Sequence, residues 1–271
     1  MTDCLALRGI SKTYSAGIRG CSATVDVLRE VDLDVSSGEI VALHAPPAGG
    51  KTTLLLCAAG LLRPDRGSIA WFGCTARRDG AVPDGIAYVS DRPFPYAFLS
   101  VREAVEYAAI ARDLPLADHA ARVSETLEQT NLSAVAHRRV DSLDSAQASR
   151  MALAAALLAR PRLLVIDDLG SGCDADAARD ILTIVRGCAA DTGAGVLIAG
   201  RLVPRLAADD GRSRARLDAR FVRLVDGRIE SPPLVSPSPM RNRVVAMLAP
   251  ARVAEAGRPS AAPSAAPNEA R

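Results

Sequence analysis

An apolar run that leads into a glycine-containing loop constrains this chain more than any other stretch. The sequence EIVALH at residues 39–44 is followed by APPAGGKTTLLL at residues 45–56. This order predicts a buried strand, a tight loop and a helix. The loop has the spacing G-x-x-x-x-G-K-[ST], with alanine in place of the first glycine. In such loops, backbone N–H groups and a helix N-terminus surround phosphates, a lysine reaches the outer phosphates and a hydroxyl ligates Mg²⁺.

The distribution of basic residues supports a chemical role for Lys51. Only two lysines, Lys12 and Lys51, occur among the 33 basic residues of the 271-residue chain, and the others are arginine. A lysine ammonium acts on phosphate as a compact point charge, which a guanidinium fork does not reproduce. We therefore expect Lys51 to be required for phosphate binding.

The composition disfavours several classes of protein. The formal net charge of +2 argues against a dedicated nucleic-acid-binding protein, which usually carries a strong basic excess. Six cysteines occur without a C-x-x-C pair, so buried free thiols in a reducing compartment are favoured over zinc or redox motifs. Apolar runs such as residues 151–159 are far shorter than the ~18–20 residues that span a bilayer, which predicts a cytosolic protein.

The order of strand and helix patterns predicts an α/β domain over residues 1–230 with a largely parallel core sheet. Residues 5–43 alternate and turn often, which is typical of short strands. A block at about residues 91–150 is helical in pattern and is predicted to be an inserted subdomain. Residues 231–271 are rich in Pro, Ala and Ser, which predicts a disordered tail.

Several spaced blocks together resemble the ATP-binding subunits of ABC transporters, over nearly all of residues 5–230. The blocks SKTY, VLREVDLDVSSGEIVAL and GLLRPDRGSI are most similar to the lipoprotein-release and macrolide-export branch. The resemblance implies a P-loop NTPase of ABC type, with a mixed core sheet, an N-terminal antiparallel β part and a helical subdomain. It also implies ATP and Mg²⁺ as cofactors, and a homodimer or a heterodimer with another ABC subunit. The dimer would dock on an integral membrane permease at the inner face of the plasma membrane, without nucleic acid.

The resemblance also assigns site residues position by position. The adenine-stacking aromatic falls on Tyr14, and Mg²⁺ would be held by Thr52, Asp167 and Asp91. The two catalytic positions fall on Asp168, where the family has glutamate, and on Asp91, where it has glutamine. The phosphate loop falls on Ala48, Gly49, Gly50, Lys51, Thr52 and Thr53. The family's L-S-G-G-Q signature, here LDSAQ, falls on Leu143, Asp144, Ser145, Ala146 and Gln147.

Departures from the family pattern predict weakened but surviving nucleotide binding and impaired hydrolysis. In the loop, Pro47 lacks an N–H and alanines replace glycines. Asp168 is one methylene shorter than glutamate, and a displacement of ~1 Å can cost ~100-fold in rate. Gly200 stands where the family has its switch histidine. Asp144 puts an anion in the signature, or it caps the third helix. A fully active ATPase that uses Asp168 and Asp91, and a non-hydrolysing scaffold, remain alternatives.

One histidine and one arginine-rich segment belong to none of these motifs. His44 lies at a strand end beside the loop, where a packing or surface role is expected. The arginine-rich segment at residues 201–220 is interspersed with aspartates, which is typical of a solvated face. Contact with anionic lipid headgroups or a membrane partner is the alternative for this segment.

Overall fold

Two β-sheets carry the described part of the chain, which comprises residues 3–18, 21–76, 81–91, 94–203 and 219–230 of a computed structural model. The strands are β1 (Asp3–Ile18), β2 (Cys21–Ser36), β3 (Ile40–His44), β4 (Arg66–Trp71), β5 (Cys74–Thr75), β6 (Ile86–Ser90), β7 (Leu163–Asp167), β8 (Gly195–Ala199), β9 (Arg220–Val225) and β10 (Arg228–Glu230). The helices are α1 (Lys51–Ala58), α2 (Val101–Ile110), α3 (His119–Gln129), α4 (Ser145–Leu157) and α5 (Ala175–Thr192). The predicted tail at residues 231–271 and most of the arginine-rich segment lie outside the described residues.

The first sheet is antiparallel, with strand order β2-β1-β4-β5. The expectation of short strands over residues 5–43 was wrong, because β1 and β2 each run for 16 residues. Their pairing shifts register between Leu7 and Ile10 and again around Lys12. Gly9 and Glu30 have φ angles of 59° and 51° at these irregularities. Bulges therefore interrupt the alternation that would otherwise have marked two long strands.

The second sheet has strand order β10-β9-β3-β8-β7-β6 and is mixed. Four of its five pairings are parallel, namely β9 with β3, β3 with β8, β8 with β7 and β7 with β6, whereas β9 and β10 form an antiparallel hairpin. Every residue of β7 and β8 is buried, as expected for parallel strands covered on both faces. The predicted fold class, with an antiparallel N-terminal sheet and a mixed core sheet, is confirmed.

One apolar cluster lies between the antiparallel sheet, α1 and one face of the core sheet. The indole N–H of the buried Trp71 donates to the carbonyl of Ala58 at 2.7 Å and so ties α1 to β4. A second cluster lies between the other face of the core sheet and helices α4 and α5. The position of α1 is thus fixed from both sheets, which matters because its N-terminus carries the predicted phosphate loop.

Helices α2, α3 and α4 share a third apolar cluster. Ser100 is the N-cap of helix α2 and forms the expected capping box, in which Ser100 and Glu103 accept hydrogen bonds from each other's backbone N–H groups. The shared core continues past residue 150, because Met151, Ala154 and Leu158 belong to it. Among the described residues, none of the helices combines the length and apolar character needed to cross a bilayer.

Candidate functional site

The carboxyl ends of four adjacent parallel strands bring several of the predicted site residues to one edge of the core sheet. In the register of β3, β8, β7 and β6, Ala199 pairs with both Leu43 and Asp167, and Asp167 pairs with Ser90. The residues that follow these strands are therefore neighbours, although they are far apart in sequence. They are the loop at residues 45–50, Gly200, Asp168 and Asp91.

The phosphate loop contains residues of left-handed conformation although alanines replace two of its usual glycines. Ala48 has a φ of 59° and Gly50 a φ of 88°, and the N–H of Gly49 donates to the carbonyl of Pro46 at 3.0 Å. A non-glycine residue in this conformation costs of order 1 kcal/mol or more. A Cβ at position 50 would lie 2.9 Å from the carbonyl oxygen of Val27 on β2. Glycine is therefore required at position 50, whereas the alanine at position 48 is tolerated with strain.

Lys51 folds its side chain back over this loop. Its ammonium donates to the carbonyl oxygens of Ala45 and Pro46, both at 2.9 Å. Helix α1 starts directly at Lys51, with no side-chain cap at Gly50 and no acidic residue in its first turn. The positive end of the helix and the ammonium therefore lie together with no anion from the cap. This arrangement fits a phosphate group.

Asp167 supplies a buried carboxylate at the same edge. Its residue is only 7% exposed, and its Oδ2 accepts a hydrogen bond from the Tyr88 hydroxyl at 3.0 Å. Carboxylate and hydroxyl oxygens are ligands that Mg²⁺ accepts. The predicted hydroxyl ligand, Thr52, is exposed in the first turn of α1. Sequence reasoning missed the role of Tyr88, because this contact depends on the pairing of β6 with β7.

Asp168 is held by the segment that leaves β8. Its backbone has a φ of 52°, and its N–H donates to the carbonyl of Ala199 at 3.0 Å. Its carboxylate Oδ1 accepts the backbone N–H of Arg201 at 3.2 Å and lies 3.6 Å from the Arg201 Nε. The candidate catalytic carboxylate therefore already has a cationic neighbour. The sequence pattern predicts a solvated face for the segment that contains Arg201, and its place directly after the strand LIAG is the signal that could have identified it.

Gly200 adopts a backbone conformation that side chains rarely adopt. Its φ is 105°, and a Cβ built there would lie 2.5 Å from the Cα of Asp168 and 2.6 Å from its Oδ1. Contacts below 3.0 Å to backbone require the chain to move. Position 200 thus excludes a side chain as well as lacking one.

Asp91 faces a different neighbour from Asp168. Its Oδ2 accepts the backbone N–H of Ser171 at 3.1 Å. The adjacent Gly172 lies against α4, since a Cβ at Gly172 would be 3.0 Å from the Oγ of Ser145. Asp91, the segment 171–172 and the start of α4 therefore form a second group of predicted site residues.

The LDSAQ motif forms the N-terminus of α4. Asp144 is its N-cap: its Oδ1 accepts the backbone N–H of Gln147 at 2.8 Å, and the Gln147 Oε1 accepts the N–H of Asp144 at 3.3 Å. The capping alternative for Asp144 is thereby confirmed. In the described part of the chain, no hydrogen bond joins residues 143–147 to the phosphate loop at residues 45–53.

Tyr14 lies on β1 with 41% of its surface exposed, and the ammonium of Lys12 is 5.9 Å from its ring centre. Strands β1 and β2 pair as a ribbon in which Lys12 is opposite Leu28 and Tyr14 is opposite Val25. Leu28 lies beside the phosphate loop, since a Cβ at Gly50 would contact its side chain. The exposed ring is therefore on the part of the ribbon that adjoins the phosphate loop. Its polar neighbour Lys12 also bonds Asp65 at 2.8 Å.

His44 ends β3 and is partly buried beside the loop. Desolvation lowers its pKa, and the positive charges of Lys51 and Arg223 lower it further. The neutral imidazole is favoured in this setting, so His44 adds no positive charge to the site near neutral pH.

Comparisons with known proteins agree with this geometry. The chain matches the family described as ABC transporter over residues 28–170. It is 34% identical over 238 residues to the lipoprotein-releasing system ATP-binding protein LolD of Anaeromyxobacter dehalogenans, which covers 84% of this chain and 93% of that protein. It is 29% identical over 233 residues to the macrolide export ATP-binding/permease protein MacB of Nitrosomonas europaea, covering 83% of this chain and 33% of that protein.

Other relatives are longer than this chain. The sulfate/thiosulfate import ATP-binding protein CysA of Thermosynechococcus vestitus is 30% identical over 182 residues; the match covers 67% of this chain and about half, 52%, of that protein. A dimeric ATP-binding cassette in a post-hydrolysis state bound to ADP and phosphate has a TM-score of 0.67 at 21% identity, covering 84% of this chain and 97% of that one. The fold, the ordered motifs and the match over residues 28–170 show that this chain belongs to the family of ABC transporter ATP-binding proteins.

Proposed function

We propose that this chain is the ATP-binding subunit of an ABC transporter, that it binds ATP with Mg²⁺ at its modified phosphate loop, and that it hydrolyses ATP weakly or not at all. One observation carries the proposal. Lys51 and the uncapped start of α1 share a sheet edge with the buried Asp167, whereas Asp168 is bonded to Arg201 and position 200 excludes a side chain.

The phosphates of ATP would be bound by groups of the phosphate loop and the start of α1. Backbone N–H groups of the loop and the first turn of α1, together with the Lys51 ammonium, would hold the phosphates. These residues are Ala48, Gly49, Gly50, Lys51, Thr52 and Thr53. Mg²⁺, when bound, neutralises phosphate charge, and Thr52 and Asp167 are the residues that would supply its protein oxygens. Asp91 has one carboxylate oxygen bonded to Ser171, so we assign it a secondary role in holding the ion.

Impaired hydrolysis follows from the two positions that would act on the attacking water. Asp168 is shorter than glutamate, and its Oδ1 accepts the backbone N–H of Arg201 at 3.2 Å. Position 200 has no side chain to orient a water molecule. Because general-base catalysis requires the base within about 3 Å of its proton, a retracted carboxylate whose oxygen already accepts a backbone N–H reduces the rate strongly.

The proposed partners follow from membership of the family. We propose that the domain, residues 1–230, forms a homodimer or a heterodimer with another ABC subunit and docks on an integral membrane permease at the inner face of the plasma membrane. The residues of LDSAQ, which are Leu143, Asp144, Ser145, Ala146 and Gln147, would face the nucleotide of the partner subunit. Asp144 would then bring a negative charge towards phosphate, which weakens closure of that dimer.

Titration of the purified full chain with ATP and Mg²⁺ by calorimetry tests the proposal. We expect wild-type binding at millimolar ATP or below, and a Lys51→Met variant that binds ATP at least ~10-fold more weakly, equivalent to ~1.4 kcal/mol. Arg160→Gln is the matched control, since Arg160 is an exposed cation paired with Glu125 at 2.9 Å beyond the far end of α4. A melting curve for each variant checks that loss of the two carbonyl contacts of Lys51 has not unfolded the chain.

The same samples separate the alternatives. No ATP binding by the wild type at millimolar concentration rejects the proposal. Steady-state phosphate release at rates ordinary for transport ATPases, abolished by Lys51→Met, favours a fully active enzyme that uses Asp168. Restoration of transporter function in cells by Lys51→Met, as well as by the wild type, favours a scaffold whose role does not depend on nucleotide.

A further inference from the structure

The strand β8 ends between the phosphate loop and the two carboxylates, and Arg201 is the first side chain that leaves it. Strand β8 lies between β3, which leads into the loop, and β7, which ends in Asp167. Neighbouring strands are ~4.8 Å apart, a distance that an extended arginine side chain exceeds. Because position 200 excludes a side chain, the group that β8 presents to this edge is the guanidinium of Arg201.

The ion pair between the Arg201 side chain and Asp168 is weak. Its Nε lies 3.6 Å from the Oδ1 of Asp168, whereas strong charge-assisted N–H···O bonds are ~2.7–2.9 Å long. The side chains of Arg201 and Asp168 are 64% and 54% exposed, and exposed ion pairs contribute little to stability. The guanidinium can therefore exchange Asp168 for another anion at little cost to the fold.

We propose that Arg201 binds the terminal phosphate of the nucleoside triphosphate and leaves Asp168 when it does so. This inference rests on the proposed function, because it concerns the same nucleotide site. A guanidinium presents a planar set of donors that matches phosphate oxygens, and it stays charged at all physiological pH values. A diphosphate lacks the group that Arg201 would reach, so the residue discriminates ATP from ADP.

Binding constants for ATP and for ADP, measured with Mg²⁺ on the full chain, test this role. We expect Arg201→Gln to weaken ATP binding by ~10-fold while ADP binding changes by less than ~2-fold. The matched control Arg160→Gln also removes an exposed, ion-paired arginine and should change neither constant. Asp168→Asn removes the competing anion, so it should strengthen ATP binding several-fold, and this gain should vanish in the double variant with Arg201→Gln.

The outcomes separate this inference from the function on which it rests. If the wild type binds ATP and Arg201→Gln alters ATP and ADP binding equally, or alters neither, the inference is overturned and the proposed function stands. If Asp168→Asn strengthens ATP binding to the same extent with and without Arg201, the exchange between the two anions is overturned. If the wild type does not bind ATP, both proposals fall.

Discussion

At the scale of single residues, Gly200 shows that the conformation of the backbone can exclude a side chain from a position. The family resemblance predicts a histidine position here, which glycine occupies in this chain. In the structure, the φ of 105° and the approach of Asp168 leave no room for a Cβ. A side chain therefore cannot be introduced at position 200 unless the local backbone moves.

We accordingly expect Gly200→His to destabilise the protein without restoring hydrolysis. Forcing a side chain into this conformation costs roughly 1–3 kcal/mol, which chemical denaturation would measure as a lower free energy of unfolding. Phosphate release by the variant should not exceed that of the wild type.

Gly187 provides the matched control for this substitution. It lies within α5, and a Cβ there would be 3.7 Å from the Oδ2 of Asp191, an ordinary contact. Gly187→Ala should stabilise the protein by roughly 0.5–1 kcal/mol, because alanine favours helix interiors over glycine. A Gly200→His variant as stable as the wild type would contradict the steric argument.

At the scale of elements, the start of α4 combines a structural and a functional demand on Asp144. The side chain bonds the N–H of Gln147 and completes a capping box. A carboxylate at a helix N-terminus is also favoured by the helix dipole. The element thus benefits locally from a residue whose charge would be unfavourable towards the phosphate that the proposed function brings to it.

This conflict predicts different results for two substitutions of Asp144. Asp144→Ala should lower the free energy of unfolding by ~1 kcal/mol, because alanine cannot cap the helix. Asp144→Ser should keep most of the stability, since serine caps the helix without a charge.

Chemical denaturation of both variants, with Asp141→Ala as the control, makes the comparison. Asp141 is exposed, and among the described residues its side chain pairs with Arg139 two positions away, so its loss should change stability by less than ~0.5 kcal/mol. Equal destabilisation by Asp144→Ser and Asp144→Ala would show that the cap is not what Asp144 contributes.

At the scale of the whole molecule, the stability of the fold should fall in mild acid through His44. Burial lowers the pKa of His44, and Lys51 and Arg223 add to this effect. The unfolded chain, with an ordinary pKa near ~6.5, then takes up a proton before the folded chain does. Stability present above that pH is therefore lost as the pH falls from ~6.5 through the folded pKa.

Unfolding free energies of the wild type and of His44→Gln at about pH 7.5 and about pH 5.5 measure this contribution. The wild type should lose more stability than the variant over this interval. His137→Gln replaces an exposed histidine and serves as the control for a generic effect of the substitution. The same pH dependence in the wild type and in His44→Gln would contradict the assignment.

The sequence predicted those features that depend on neighbouring residues along the chain. The strand at residues 163–167, the start of α1 at Lys51 and the capping box of Ser100 with Glu103 are confirmed, since apolar runs and cap spacings are local signals. The long ribbon of β1 and β2 was missed, because bulges imitate turns.

Two contacts of the candidate site could not be predicted because they are set by tertiary structure. The bond from Tyr88 to Asp167 requires the register of two strands that are far apart in sequence. The proximity of Arg201 to Asp168 requires the φ angle of Gly200, which the residue type permits but does not fix.

The two lysines have a practical consequence that follows from where the fold puts them. Lys51 arches over the loop carbonyls, and Lys12 is clamped to Asp65 beside the Tyr14 ring. A reagent that acylates side-chain amines therefore meets two targets in the entire chain, both next to the candidate site. Mass spectrometry of acylated peptides would thus report the accessibility of this one region, without any engineered label.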